Sequence, residues 1–235
     1  LIIGAGSELA GSTIKTYLNH PSDSYLIHAV SQKKKSIESD RLHWHQCEYE
    51  ELAIASTCHE ILSGNQPLDK IIIFNGQLHW ENQYPEKQIK DIDPEYFNRI
   101  FSCNTLVPML FLKHLVPKLS STHPCKIVIL SARVGSIQDN QLGGWHSYRA
   151  SKAALNMVVK SLAIETARKT QQIKFILYHP GTTNTPLSKP FQKNVPEAQL
   201  FTTQQSAQYL IKVLENQEYD GSVSYLDWRG DEIDW

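Results

Sequence analysis

Leu1-Ile2-Ile3-Gly4-Ala5-Gly6-Ser7-Glu8-Leu9-Ala10-Gly11 opens the chain, passing from an apolar run through a glycine-rich turn into a helical pattern. The first three residues read as a strand already under way, so a few residues are expected to precede Leu1. Glycines in such a turn let the backbone approach a pyrophosphate, whose charge is favoured at a helix N-terminus. Strand, glycine turn and helix in that order are the first unit of an α/β protein.

Outward from that unit the alternation continues. Strands are expected at Leu1–Ile3, Tyr25–Ser31, Lys70–Phe74, Lys126–Ser131, Lys174–His179 and Val223–Trp228, with a weaker one at Arg41–Cys47. Lys70–Phe74 and Lys126–Leu130 are nearly continuous β-branched runs, as in strands buried on both faces. Helical patterns fall at Glu8–Leu18, Glu51–Leu62, Pro94–Leu119, Ser147–Thr170 and Thr203–Asn216. Asp93-Pro94 supplies a cap and a first-turn proline, and Pro108 is expected to kink the helix that follows. The pattern predicts a single α/β domain over residues 1–235, a doubly wound parallel sheet with helices on both faces. Residues 182–201, rich in Pro, Lys, Gln and Ser, read as a long loop beyond a late strand, where such sheets bind ligands.

The 235 residues, 41% hydrophobic and 20% charged, can build a sizeable core. With 23 basic and 24 acidic side chains the net charge is −1, which excludes a globally basic nucleic-acid binder and gives no electrostatic case for an anionic membrane surface. The densest apolar stretch, Leu106–Leu112, is shorter than a membrane span. Cys47, Cys58, Cys103 and Cys125 are dispersed, so reduced thiols and a cytoplasmic location are expected. His43-Trp44-His45 lacks an acidic or thiol partner at ligand spacing, and no metal site is expected.

Two later segments carry candidate chemistry. Tyr148 and Lys152 are four residues apart, on one face of a helix that opens just after a buried strand. An ammonium there would favour tyrosinate and lower the phenol pKa, making Tyr148 a usable proton donor near neutral pH. His179-Pro180-Gly181-Thr182-Thr183-Asn184-Thr185 follows another buried strand and offers hydroxyls and an amide to a carboxamide or phosphate.

Together these segments resemble the short-chain dehydrogenase/reductase family over the whole chain, and most closely its C-factor-like and sniffer-like carbonyl reductases. Gly4 through Ala10 resembles the family's glycine turn, Tyr148–Lys152 its Tyr-x-x-x-Lys, Pro180-Gly181 through Thr185 its Pro-Gly-x-x-x-Thr, and Asn104 its helical asparagine. Ser131–Ile137, Gly143–Asn156 and Asp227–Trp235 carry the closer likeness. The resemblance implies a Rossmann-type fold and hydride transfer between a nicotinamide cofactor and a small carbonyl or alcohol. Tyr148 would then be the general acid, Lys152 would bind the nicotinamide ribose, Asn104 would hold a relay water and Thr185 would contact the nicotinamide. Gly4, Gly6, Ser7, Glu8, Leu9, Ser31, Asn75, Gly76, Pro180, Gly181, Thr182 and Thr183 complete the implied cofactor site. It also implies a homodimer or homotetramer paired through Pro94–Leu119 and Ser147–Thr170.

Departures from the pattern set specific questions. Glu8 and Ala10 replace two glycines of the turn, and Glu8 would repel a pyrophosphate unless it points outward. Ile73-Phe74-Asn75-Gly76 keeps only the glycine of the family's Asn-Asn-Ala-Gly. The serine that steadies the substrate oxygen falls on Ala132; Ser131 substitutes only if the strand end bends, with Ser136, or no serine at all, as the alternatives. At the end of strand two stand Ser31 and Gln32-Lys33-Lys34-Lys35, with no acid to bond a ribose 2′-hydroxyl, so NADP(H) is expected, with NAD(H) the alternative. The rival function is a non-catalytic dinucleotide-binding sensor or signalling protein, which has no evident need of Asn104, Tyr148 and Lys152.

Overall fold

The computed structural model describes residues 1–20, 25–64 and 66–235. In chain order the elements are β1 (Ile2–Ile3), α1 (Glu8–Leu18), β2 (Ile27–Ser31), β3 (Leu42–Gln46), α2 (Glu51–Ser63) and β4 (Lys70–Ile73). They continue with α3 (Pro94–Phe101), α4 (Val107–Leu115), β5 (Cys125–Leu130), α5 (His146–Ala167) and β6 (Ile173–His179). The last are β7 (Thr182–Thr183), β8 (Leu200–Phe201), α6 (Thr203–Glu215) and β9 (Val223–Asp227).

Seven strands form one parallel sheet in the order β3-β2-β1-β4-β5-β6-β9. Every residue of β5 is buried, which is why its sequence shows no polar alternation. Alternate residues feed two cores. Ile127 and Ile129 pack with Ile54 and Cys58 of α2, Phe111 and Leu115 of α4, and Leu155 and Val159 of α5. Val128 and Leu130 pack on the other face with Leu9 and Ile14 of α1 and Leu210 and Leu214 of α6. The sheet is therefore doubly wound, as the strand–helix alternation predicts.

The long helix expected over Pro94–Leu119 is divided. Asp93 accepts from the Glu95 amide and starts α3; a π-helical turn over Ser102–Leu106 then separates α3 from α4. Pro108 has no N–H, and its ring crowds the carbonyl four residues earlier, that of Asn104. The expected kink is thus a widened turn with Asn104 inside it. The run Pro94–Lys118 has the length and apolarity of a membrane span, longer than the stretch the sequence suggested, with 50% of its apolar window buried. Its Val107, Phe111, Leu112 and Leu115 belong to the core.

Residues 182–201 are only partly loop. β7 and β8 pair in parallel and close the segment at its base, with 3₁₀ turns at Lys189–Asn194 and Glu197–Gln199 between them. At the β3 edge, His28 Nδ1 and His45 Nε2 lie 3.0 Å apart and His45 Nδ1 is 3.2 Å from a Glu60 carboxylate oxygen. These histidines bond one another and Glu60.

Candidate active site

Strand order reverses between β1 and β4, which opens a crevice at the carboxyl ends of the strands. The opening turn lies there. Gly4 has φ +76°, and a Cβ on it would stand 3.0 Å from the Asn75 amide nitrogen. At Gly6 a Cβ would meet Ser31 Oγ at 2.6 Å and Lys33 Cδ at 2.9 Å, so no side chain fits. Lys33 folds back over this glycine: its Nζ donates to the Gly6 carbonyl at 3.1 Å and its amide to Ser31 Oγ at 3.0 Å. Ser7 caps α1 by accepting from the Ala10 amide; Glu8 is exposed and Leu9 lies in the core. Glu8 is exposed rather than packed into the turn.

Asn75 approaches the Tyr49 phenol, yet its Oδ1 is buried without a hydrogen-bond partner. An orphaned buried acceptor beside a glycine cradle, with a lysine over the turn, is a donor and acceptor set that fits a dinucleotide.

One strand further along the crevice, the side chains of Asn104, Lys152 and Tyr148 are all buried. Asn104 Oδ1 accepts from the Gln77 amide at 2.7 Å, while its Nδ2 donates to the Gln77 carbonyl at 2.9 Å and to Ser151 Oγ at 3.0 Å. Ser151 in turn donates to the Tyr148 carbonyl, so the π turn is tied to the helix that carries the tyrosine. Lys152 Nζ donates to the Leu130 carbonyl at 2.9 Å, and a Cβ on Gly76 would stand 3.3 Å from it. Gly135 packs on the Lys152 backbone, where a Cβ would come within 2.8 Å of the lysine Cβ. Burial lowers the Lys152 pKa to about 8 and pushes the Tyr148 phenol well above its ordinary value. The expectation of a lowered tyrosine pKa is thus reversed, because desolvation dominates at Tyr148. A phenol that keeps its proton at neutral pH is in the state a proton donor requires.

The placement of Ser131 corrects the reading that gave it the substrate oxygen. Ala132 stays extended, with φ −153° and ψ 142°, so the strand end does not bend. Ser131 therefore points into the sheet–helix interface and donates to Asn156 Oδ1 at 2.6 Å. Ser136 Oγ accepts from the Asp139 amide and caps its own turn. Ala132 packs instead on the apolar cluster around Tyr148.

Beyond β6, Gly181 has φ +71°, and a Cβ there would strike the Phe201 ring at 2.7 Å. Thr182 and Thr185 remain half-buried at the crevice, but Thr183 is buried, with its Oγ1 2.7 Å from Ser206 Oγ of α6. Four residues matter here that the sequence reading gave no role, His179 and Trp145 having been quoted only within longer segments. Glu86 is a buried carboxylate that bonds the N-terminus of α5; Trp145 and Phe191 flank Tyr148; and His179 has a buried Nδ1 without a partner. Glu86 and Phe191 act through contacts far apart in sequence, whereas the Gly143-Gly144 pair before Trp145 is a local signal.

The fold is a doubly wound parallel sheet with a crevice where its strand order reverses. The chain belongs to the short chain dehydrogenase family, whose model matches residues 3–196. It is 32% identical to a 1-hydroxy-2-glutathionyl-2-methyl-3-butene dehydrogenase of Rhodococcus sp. (strain AD45) over 148 residues, 63% of this chain and 62% of that protein. It is 29% identical to the C-signal protein of Myxococcus xanthus over 145 residues, 62% of this chain and 82% of that one. The NADPH-bound carbonyl reductase from chicken fatty liver shares the fold, with a TM-score of 0.80 at 20% identity over 100% of this chain and 98% of the other.

Proposed function

We propose that the protein is an NADPH-dependent reductase of small carbonyl compounds, able to run in reverse on the alcohol. The observation that carries this reading is the convergence of a protonated Tyr148, a cationic Lys152 and a fully bonded Asn104 at the edge of one crevice. The bound cofactor would supply the hydride; the protein supplies orientation and the proton. Gly4 and Gly6 leave backbone room for the pyrophosphate, and Ser31 with Lys33 would take a ribose 2′-phosphate. Lys152, charged at pH 7, would hold the nicotinamide ribose, with Gly181, Thr182 and Thr185 at the nicotinamide end. Tyr148 would give its phenolic proton to the substrate oxygen as negative charge develops there. Asn104 would fix the spacing between the π turn and α5 and so support the relay that restores that proton.

The chicken enzyme's bound NADPH and the Rhodococcus protein's dehydrogenase activity support the same assignment. Tyr148→Phe tests it against a panel of aldehydes and ketones. Turnover is expected to fall by about 10²–10⁴-fold while NADPH affinity, read by fluorescence titration, stays unchanged. Wild-type turnover in the variant would remove Tyr148 from the mechanism.

A further inference from the structure

Gly143, Gly144 and Trp145 adopt left-handed backbone conformations in succession, with φ of 64°, 64° and 51°. Trp145 is the one non-glycine residue at positive φ among the described residues. A bulky side chain there is strained, and such strain persists only where surrounding bonds enforce it. Glu86 enforces it. Its carbonyl accepts from the Trp145 amide at 2.5 Å, its Oε2 accepts from the Ser147 amide at 3.1 Å, and its Oε1 accepts from the Ser147 hydroxyl. Arg149 adds a bond from Nε to the Gly144 carbonyl at 3.0 Å. A buried carboxylate at the start of α5 also meets the positive end of that helix.

The strained backbone sets the Trp145 indole 6.1 Å from the Tyr148 ring and 4.9 Å from the Phe191 ring. Phe191 comes from the 182–201 segment, so the indole stands between the tyrosine and that segment. Trp80, Val134 and Leu187, each half-buried, pack on the same cluster. Half-exposed aromatic walls around a buried tyrosine favour a flat apolar body over a polar one.

We propose that this cluster is the substrate subsite and that the substrate is an aryl carbonyl compound, its ring against the Trp145 indole and its carbonyl oxygen on the Tyr148 hydroxyl. The proposal rests on the reductase reading above and names its substrate class. The carbonyl carbon would take hydride from bound NADPH and the oxygen a proton from Tyr148, leaving NADP⁺, the alcohol and a tyrosinate that a proton from solvent restores.

The test compares 1-phenyl-1,2-propanedione with 2,3-butanedione as substrates for the wild type and for Trp145→Gly, a replacement whose backbone suits the left-handed position. The wild type is expected to prefer the phenyl compound at least tenfold in kcat/KM, and Trp145→Gly to lose at least fivefold of that preference, mainly through KM for the phenyl substrate. A wild-type ratio near one, or a ratio unchanged in the variant, overturns the subsite. If neither diketone is reduced, the reductase reading fails on its own. Acetophenone binding, read by tryptophan fluorescence, then decides the subsite: saturable binding weakened in Trp145→Gly upholds an aryl site, and none overturns it.

Discussion

Lys152 donates from its ammonium to the Leu130 carbonyl at 2.9 Å, so the charge one helical turn beyond Tyr148 on α5 is anchored to the end of β5. Gly76 leaves the space it occupies, and Gly135 lets the helix approach closely enough to reach the strand. Burying that ammonium lowers its pKa from 10.5 to about 8, so the folded state binds the proton less tightly than the unfolded chain does.

Replacement of this lysine is expected to stabilise the fold while abolishing function. The pKa difference corresponds to about 3 kcal/mol of destabilisation at neutral pH, fully present below pH 8 and relieved as pH rises towards 10.5. Lys152→Met removes that penalty and leaves the Leu130 carbonyl unpaired at about 1 kcal/mol. A net gain of about 1–2 kcal/mol should raise Tm by about 3–6 °C, with cofactor binding and turnover lost. Calorimetry showing a lower Tm for the variant would count against the energetic reading of this site.

Acid should destabilise the protein through two histidines. Burial first, and then the Arg133 guanidinium, lower the His179 pKa to about 4; burial first, then His45, lower that of half-buried His28 to about 4. Between pH 6.5 and 4 the unfolded chain binds protons that the folded one refuses, so stability falls as pH falls through that window. The loss at His179 approaches about 3 kcal/mol, and at half-exposed His28 it is smaller. Urea midpoints measured from pH 7 to 4 should decline accordingly, and His179→Asn should flatten the slope. A slope identical in the variant would assign the acid sensitivity elsewhere.

Sequence legibility followed burial. β4, β5 and β6 are covered on both faces, so nearly every residue in them is apolar and their positions could be read directly. β3 is an edge strand with one buried residue, Leu42, and its pattern was correspondingly faint. Pro108 announced a bend, but not that the helix would widen over Ser102–Leu106, since that depends on how α5 receives Asn104 and Thr105. The tyrosine–lysine spacing is local and therefore visible. Glu86, 61 residues from the serine it bonds, leaves no periodic trace.

A symmetric dimer is expected from the outer faces of α3 to α5. Leu106 is 48% exposed, Met157 64% and Ile164 55%, on the π turn and α5. Exposed apolar side chains gathered on neighbouring helices are suited to an isologous interface. Light scattering should give a mass at least twice 26.8 kDa, and Met157→Lys with Ile164→Lys should reduce it to the monomer. A wild-type mass of one chain at micromolar concentration would rule this interface out.

Ser131 and Ala132 give the last prediction, because they exchange the roles their sequence positions suggest. Ser131 spends its hydroxyl on Asn156, so Ser131→Ala should leave a buried amide oxygen unpaired and lower stability by about 1–2 kcal/mol, with turnover changed less than twofold. Ala132 packs in the cluster around Tyr148 and has no hydrogen to offer a developing alkoxide. A second donor at such an oxygen is commonly worth about 10²–10³-fold in turnover. Ala132→Ser would place a hydroxyl at the residue that the family resemblance aligns with the oxygen-steadying serine. Turnover of a carbonyl substrate by that variant should rise severalfold, with Tyr148→Phe in the same background removing the gain. Should Ser131→Ala instead abolish turnover while thermal stability is unchanged, Ser131 must reach the substrate and the strand end must bend after all.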